Sequence, residues 1–242
     1  MVFGNNLIRE NEMKQIILPT YTTKLPSTGK TVNFRPFTIK EEKALLLALQ
    51  ENNLETVGEA LKNTISVCTY GVIDPDKTPY YDIEYLFLQI RSKSVGEVLD
   101  LSGSCDCKEN ATTKFSVDLS TLKVEPSPIE NPKIKIPDTN FTVVMSHPTL
   151  SHFISAFMTS DENSGTDTVA KCIQSVYSTD EVFDWTLEEK IEFVESMTPI
   201  QQKSIAKYLN DMPMVKLDVS YTCKHCGKHH DQIMSGFENF FL

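Results

Sequence analysis

The stretch Ser220–His230, SYTCKHCGKHH, gathers two cysteines and three histidines into one short tail segment. Thiolate and imidazole are the donors zinc prefers. Cys223 and Cys226, spaced Cys-x-x-Cys, can chelate one edge of a tetrahedron. Gly227 follows at once and can take the positive φ that such a tight turn needs. One edge is half a site. The second pair is expected far upstream, in SCDCKEN, where Cys105 and Cys107 stand with a shorter bite and no following glycine. The expected ligand set is therefore Cys105, Cys107, Cys223 and Cys226, with His225, His229 and His230 as substitutes if an upstream cysteine does not bind. Four protein ligands leave a metal no open position, so such a site stabilises the fold and does not activate water. Four thiolates suit zinc and iron alike. Two other readings stand beside this one: free thiols, or a redox pair. A redox Cys-x-x-Cys normally opens a helix after a strand, whereas this one closes a hairpin. Cys68 and Cys172 lie in apolar runs and read as small buried hydrophobes.

No catalytic constellation accompanies the cysteines. Gly-x-Ser-x-Gly and His-Glu-x-x-His are absent. STGKT resembles the end of a phosphate-binding loop, but Lys24 stands five positions before Gly29 where that loop requires glycine. His147, Ser151 and His152 lie in SHPTLSH, which reads as a helix start and not as a triad. The carboxylate pairs Glu41/Glu42 and Glu188/Glu189 fall in first turns of helices, where the helix dipole favours them.

The whole chain bounds the function further. Its 242 residues are 40% hydrophobic and 23% charged, enough for a substantial core. The net charge of −10 opposes non-specific nucleic-acid binding, which needs a basic face. No apolar run is long enough to span a bilayer, and the first residues lack the pattern of a signal peptide. The expectation is a reducing cytoplasm, where six cysteines serve as thiols or ligands and not as disulfides.

The elements that must carry the cysteines follow from period and capping signals. Residues 1–15 read as a polar arm, and IILPTYTTKLPSTGKTVNFRPF as a hairpin turning at STGK. Thr38 and Glu41 form a capping box for a helix whose apolar face is Leu45, Leu46 and Leu49. Further helices are expected with faces Leu54, Val57, Leu61, Ile65, Cys68 and, after Pro79, Ile83, Leu86, Phe87, Ile90. Two short strands around Cys105 and Cys107 are expected beside a tight SGS turn, followed by a proline-rich linker at 125–132. Beyond it come a hairpin turning at PDTN and a short helix, TLSHFISAFM. TDTVAKCIQSVYS is expected to be a helix with Val169, Ile173 and Val176 on one side. Two helices capped by Thr186/Glu189 and Thr198/Gln201 precede a strand alternating Val215, Leu217, Val219, Tyr221.

The order therefore repeats. Residues 16–124 and 133–242 each give a hairpin, helices, and a hairpin bearing two cysteines, and ISVCTYG echoes CIQSVYS. The expected fold is α+β, two similar halves joined by a zinc-ribbon-like clasp. At the far end, Phe237, Phe240, Phe241 and Leu242 would either dock on the chain's own core or meet a partner.

LPSTGKTVNFRPFTIKEEKALLLA, with FRPFTIKEEKALL its most specific part, and the terminal VSYTCKHCGK together give the chain a resemblance. From Ile16 onward it resembles the baseplate hub assembly proteins of T-even-type contractile phages. Cys105-x-Cys107 departs from the Cys-x-x-Cys expected there. The resemblance implies no reaction. It implies a hub structural subunit or an assembly factor, working through other hub proteins in the host cytoplasm or retained in the virion tail. A nucleic-acid-binding zinc ribbon and a thiol oxidoreductase are the alternatives. The first predicts a salt-sensitive gel shift, and the second turnover of a disulfide that is lost on Cys223→Ser.

Overall fold

A computed structural model describes residues 16–51, 53–108, 111–127, 132–158, 164–179 and 181–235. The arm at 1–15, most of the linker's central residues and the aromatic cluster at 237–242 lie outside the described residues. Strands β1 (Tyr21–Lys24) and β2 (Thr31–Phe34) form the first hairpin, with Val32 and Phe34 turned inward. Helices α1 (Ile39–Gln50), α2 (Leu54–Cys68) and α3 (Tyr80–Ser94) follow. The Thr38/Glu41 capping box is formed. On α1 the buried residues are Leu45 and Ala48, while Leu46 and Leu47 stay exposed. The inward stripe is thus narrower than the leucine run in the sequence.

The Glu41 carboxylate serves two partners. It accepts from the Thr38 backbone N–H and takes a forked ion pair from Arg35, at 2.6 and 3.1 Å. Hydrogen bonding to Arg35, opposed in part by desolvation, holds Glu41 down to about 2 from an ordinary 4.5. Its stabilising contribution is therefore full above pH 4.5 and disappears as pH falls towards 2. Glu41→Gln keeps a capping side chain but loses the charge. In urea unfolding at neutral pH it is expected to be less stable than the wild type, with the gap narrowing below pH 4.5. A gap constant down to pH 3 would contradict this assignment.

Helix α3 is the central element. The expected face of Ile83, Leu86, Phe87 and Ile90 packs against β1, β2, α1 and α2. Its opposite side is buried as well: Tyr81 and Leu88 join Leu99, Leu101, Val117, Val215, Leu217 and Val219 in a second cluster. These last residues lie on β3 (Val98–Cys105), β4 (Ala111–Asp118) and β10 (Met214–Thr222). The SGS segment is not a turn. Ser102, Gly103 and Ser104 lie inside β3, in register with β4, and the chain reverses only after Cys105. A short strand β5 (Lys123–Glu125) pairs antiparallel with Met214–Lys216 at the start of β10, so the sheet order there is β11-β10-β5, where β11 is His229–Met234.

Most of the remaining elements form the third cluster. Strands β6 (Lys133–Lys135) and β7 (Thr142–Met145) make the expected hairpin, with Asp138 at positive φ in its turn. Helix α4 (Leu150–Met158) packs back against the N-terminal helices, seating Ile154 over Gly58. TDTVAKCIQSVYS departs from expectation. It changes from α5 (Ser164–Cys172) directly into β8 (Ile173–Tyr177), which pairs with β7 and with β9 (Val182–Phe183). Val169, Ile173 and Val176 are all buried, but from a helix end and a strand. Ile173, Val176 and Tyr177 are residues that suit a strand, and a free edge on β7 receives the segment. ISVCTYG, by contrast, ends α2, so its echo is one of letters and not of elements. Helices α6 (Leu187–Glu195) and α7 (Pro199–Asn210) carry both expected capping boxes and cover this four-stranded sheet. The architecture is α+β, with seven helices and several small sheets among the described residues.

Candidate metal centre

The turn after β10 is built from its own backbone. The N–H of Cys223 donates to Lys228 O at 2.8 Å and the N–H of Gly227 to Cys223 O at 2.9 Å, with Gly227 at φ 71°. Gly227 therefore occupies the left-handed position its place after Cys226 suggested. The N–H of His225 points at the Cys223 sulfur, 3.4 Å away. Opposite it, Cys105 ends β3 and Cys107 lies in the turn that follows, where the Ala111 N–H closes on Lys108 O at 3.2 Å.

The four sulfurs converge. Those of Cys105, Cys107, Cys223 and Cys226 all lie within 4.8 Å of one another. Cys105 and Cys226 are 3.7 Å apart and Cys107 and Cys223 3.8 Å, each crossing from one hairpin to the other. A tetrahedral ion with metal–sulfur bonds of about 2.3 Å has sulfur–sulfur edges of about 3.8 Å. The two crossing pairs match that edge, and both are far longer than a disulfide bond. Cys105 and Cys223 are buried and Cys107 and Cys226 face outward. The donor set thus fits a zinc- or iron-type tetrathiolate.

The electrostatics fit a site completed by a cation. Backbone N–H groups of His225 and Cys226 aimed at Cys223 bring its thiol down to about 6. Loss of water around the sulfur, and then the Cys226 thiol, push Cys107 up to about 12. Cys105 is raised too, the Cys107 N–H being outweighed by desolvation and by its thiol neighbours. Four thiols this close resist ionising together unless a positive charge lies among them.

The alternative donors stand outside the cluster. His229 pairs with Asp231 at 3.1 Å and meets Thr222 at 3.2 Å. His230 stacks on Tyr221, and His225 is exposed. Cys68 and Cys172 are buried in separate apolar clusters, and desolvation pushes each up to about 12. His147, Ser151 and His152 form no triad: His147 stacks on Tyr208, Ser151 donates to Asp76, and His152 Nδ1 accepts the Thr149 N–H.

What aligns the two turns is a set of residues that spacing alone does not single out. The Tyr221 ring lies over Gly103, where a Cβ would come within 2.3 Å of it. Phe115 stacks on this ring at 4.8 Å and 2°, and His230 at 4.8 Å and 8°. The Tyr221 hydroxyl donates to Ser104 O at 2.5 Å, and the Lys224 N–H to Thr113 Oγ1 at 3.1 Å. The alternation of β10 did place Tyr221 inward. Its partner Gly103 was hidden because Ser-Gly-Ser reads locally as a turn.

A family model described as T4 bacteriophage base plate protein matches residues 18–242. No curated protein and no solved structure matches the chain. The match takes in both cysteine hairpins and every helix described above. The chain belongs to the T4 bacteriophage base plate protein family.

Proposed function

We propose that the chain is a non-enzymatic protein of the baseplate hub, a structural subunit or an assembly factor that works through contacts with other hub proteins. In this reading Cys105, Cys107, Cys223 and Cys226 hold a structural zinc. The metal supplies a rigid cross-link between two turns more than a hundred residues apart in sequence. Residues 16–124 and 133–242 are two related halves, 1–15 is an arm, 125–132 is the linker, and the clasp fixes one half to the other. The observation that carries the reading is the convergence of four sulfurs from two separate hairpins in a chain of baseplate family.

The chemistry of the chain supports a scaffold. The expected ligands use every position of a tetrahedral ion. The histidines nearest to them are engaged elsewhere or face solvent. No described helix is long and apolar enough to cross a membrane. The net charge of −10 disfavours the nucleic-acid-binding ribbon. Against the oxidoreductase reading, Cys223 and Cys226 sit in a β-turn between β10 and β11, not at a helix N-terminus.

The functional test is genetic. Phage lacking this chain are expected to accumulate tail parts without complete baseplates. Peptides of the chain in purified particles mark a subunit retained in the virion; their absence from otherwise complete particles marks a factor that acts in the host cytoplasm and leaves. Normal baseplates and plaque yields without the chain would refute the proposed role.

A further inference from the structure

A groove of about 170 Å³ runs between α1 and the end of α3. Phe87 and Leu45 lie at its floor, and Leu46, Leu49 and Val95 line it above. None of its residues belongs to the cysteine hairpins. Two features set it apart. Leu46 is 49% exposed and Val95 58%, so the groove's apolar lining opens to solvent. And Arg91, which lines it, has a buried Nη1 that no hydrogen-bond partner reaches.

Arg91 as a whole is half-buried, and its one guanidinium nitrogen withdrawn from water without a partner is costly. Desolvation alone moves Arg91, downward, and among the described residues no carboxylate counters it. The groove does contain a carboxylate: Glu42, half-buried on its lining, which forms no ion pair among the described residues. Cation and anion thus share one surface patch without neutralising each other inside one molecule. A two-fold axis resolves such a patch, because it sets residue i against residue j twice.

We infer that this groove is the contact face of a symmetric dimer, in which Glu42 of each copy pairs with Arg91 of the other while Leu46 and Val95 are covered. The occupant is a second copy because the patch is self-complementary: it offers the anion that its own cation lacks. A different protein would have to bring a carboxylate to Arg91 and also face the uncompensated Glu42. The inference does not depend on the metal clasp.

Sedimentation velocity of the full chain across the micromolar range tests it. The expected result is a concentration-dependent dimer. Leu46→Asp, on an exposed position that does not endanger folding, should raise the dimer Kd by about tenfold or more. Glu42→Arg and Arg91→Glu should each do the same, and the double variant Glu42→Arg/Arg91→Glu should recover most of the loss. Circular dichroism confirms that each variant is folded. A monomer throughout the range overturns the inference, as does a dimer indifferent to Leu46→Asp. If both single charge variants fold and dissociate but their combination does not recover, the Glu42–Arg91 pairing is wrong.

Discussion

Cys223→Ser is expected to lose its metal and to melt far below the wild type. Serine replaces a thiolate with a hydroxyl that binds zinc poorly at neutral pH, and three remaining sulfurs form an incomplete site. The substitution also removes the thiol that the backbone already stabilises as thiolate. The loss should be on the order of 4 kcal/mol, only part of the binding energy of a structural zinc, because Tyr221 and its neighbours still hold the hairpins together. For a chain of this length that is roughly 8–16 °C in Tm. Chelation of wild-type protein should reproduce the effect, and added zinc should reverse it in the wild type but not in the variant. Cys68→Ser and Cys172→Ser, at cysteines outside the cluster, should leave metal content unchanged. Equal melting of wild type and Cys223→Ser, with and without chelator, would show that the sulfurs carry no metal.

The second large effect is expected at a residue with no side chain. Gly103→Val inserts atoms where Tyr221 already lies, since even a Cβ would stand 2.3 Å from the ring. That contact is with the hydroxyl-bearing end of a rigid ring that stacks on both Phe115 and His230, so relieving it means turning the whole ring out of its stacks. Overpacking of this kind costs about 1–3 kcal/mol. Displacing the ring also costs the bond from its hydroxyl to Ser104 O, worth about 1 kcal/mol. The total is expected near 3 kcal/mol, with weakened metal retention because β3 and β10 no longer present their turns in register. Gly103→Val/Tyr221→Ala should regain part of the loss, which separates the clash from a general dislike of valine in β3. Equal losses in the single and double variants would remove Tyr221 from the account.

These two predictions divide what the sequence revealed from what it concealed. Both sulfur pairs were legible, because Cys-x-x-Cys-Gly and Cys-x-Cys are local patterns with a chemical reason for their spacing. Their meeting in space is suggested by the arithmetic of ligands, two and two, and by the repeated order in which each half ends in a hairpin bearing two cysteines. Capping boxes at Thr38, Thr186 and Thr198 located three helix starts, since each is closed within four residues. Local signals mislead where tertiary context overrides them. Ser-Gly-Ser reads as a turn because nothing near Gly103 announces that a tyrosine more than a hundred residues away will cover it. Ile173–Tyr177 reads as helix because Val169, Ile173 and Val176 keep helical spacing, while the open edge of β7 decides otherwise. Helix α3 hid its second buried side in the same way. Tyr81 and Leu88 fall off the main apolar stripe and are buried by strands distant in sequence. The groove at Arg91 had no sequence signature at all, since exposure of Leu46 and isolation of the guanidinium exist only once α1 and α3 are packed.

The most direct test of the clasp is metal-edge X-ray absorption on the purified, reduced full chain. The account predicts one tightly bound metal per chain with a first shell of four sulfurs at about 2.3 Å and no nitrogen or oxygen in that shell. A metal-free protein, or a shell containing histidine nitrogen, would contradict the assignment of Cys105, Cys107, Cys223 and Cys226 as its ligands.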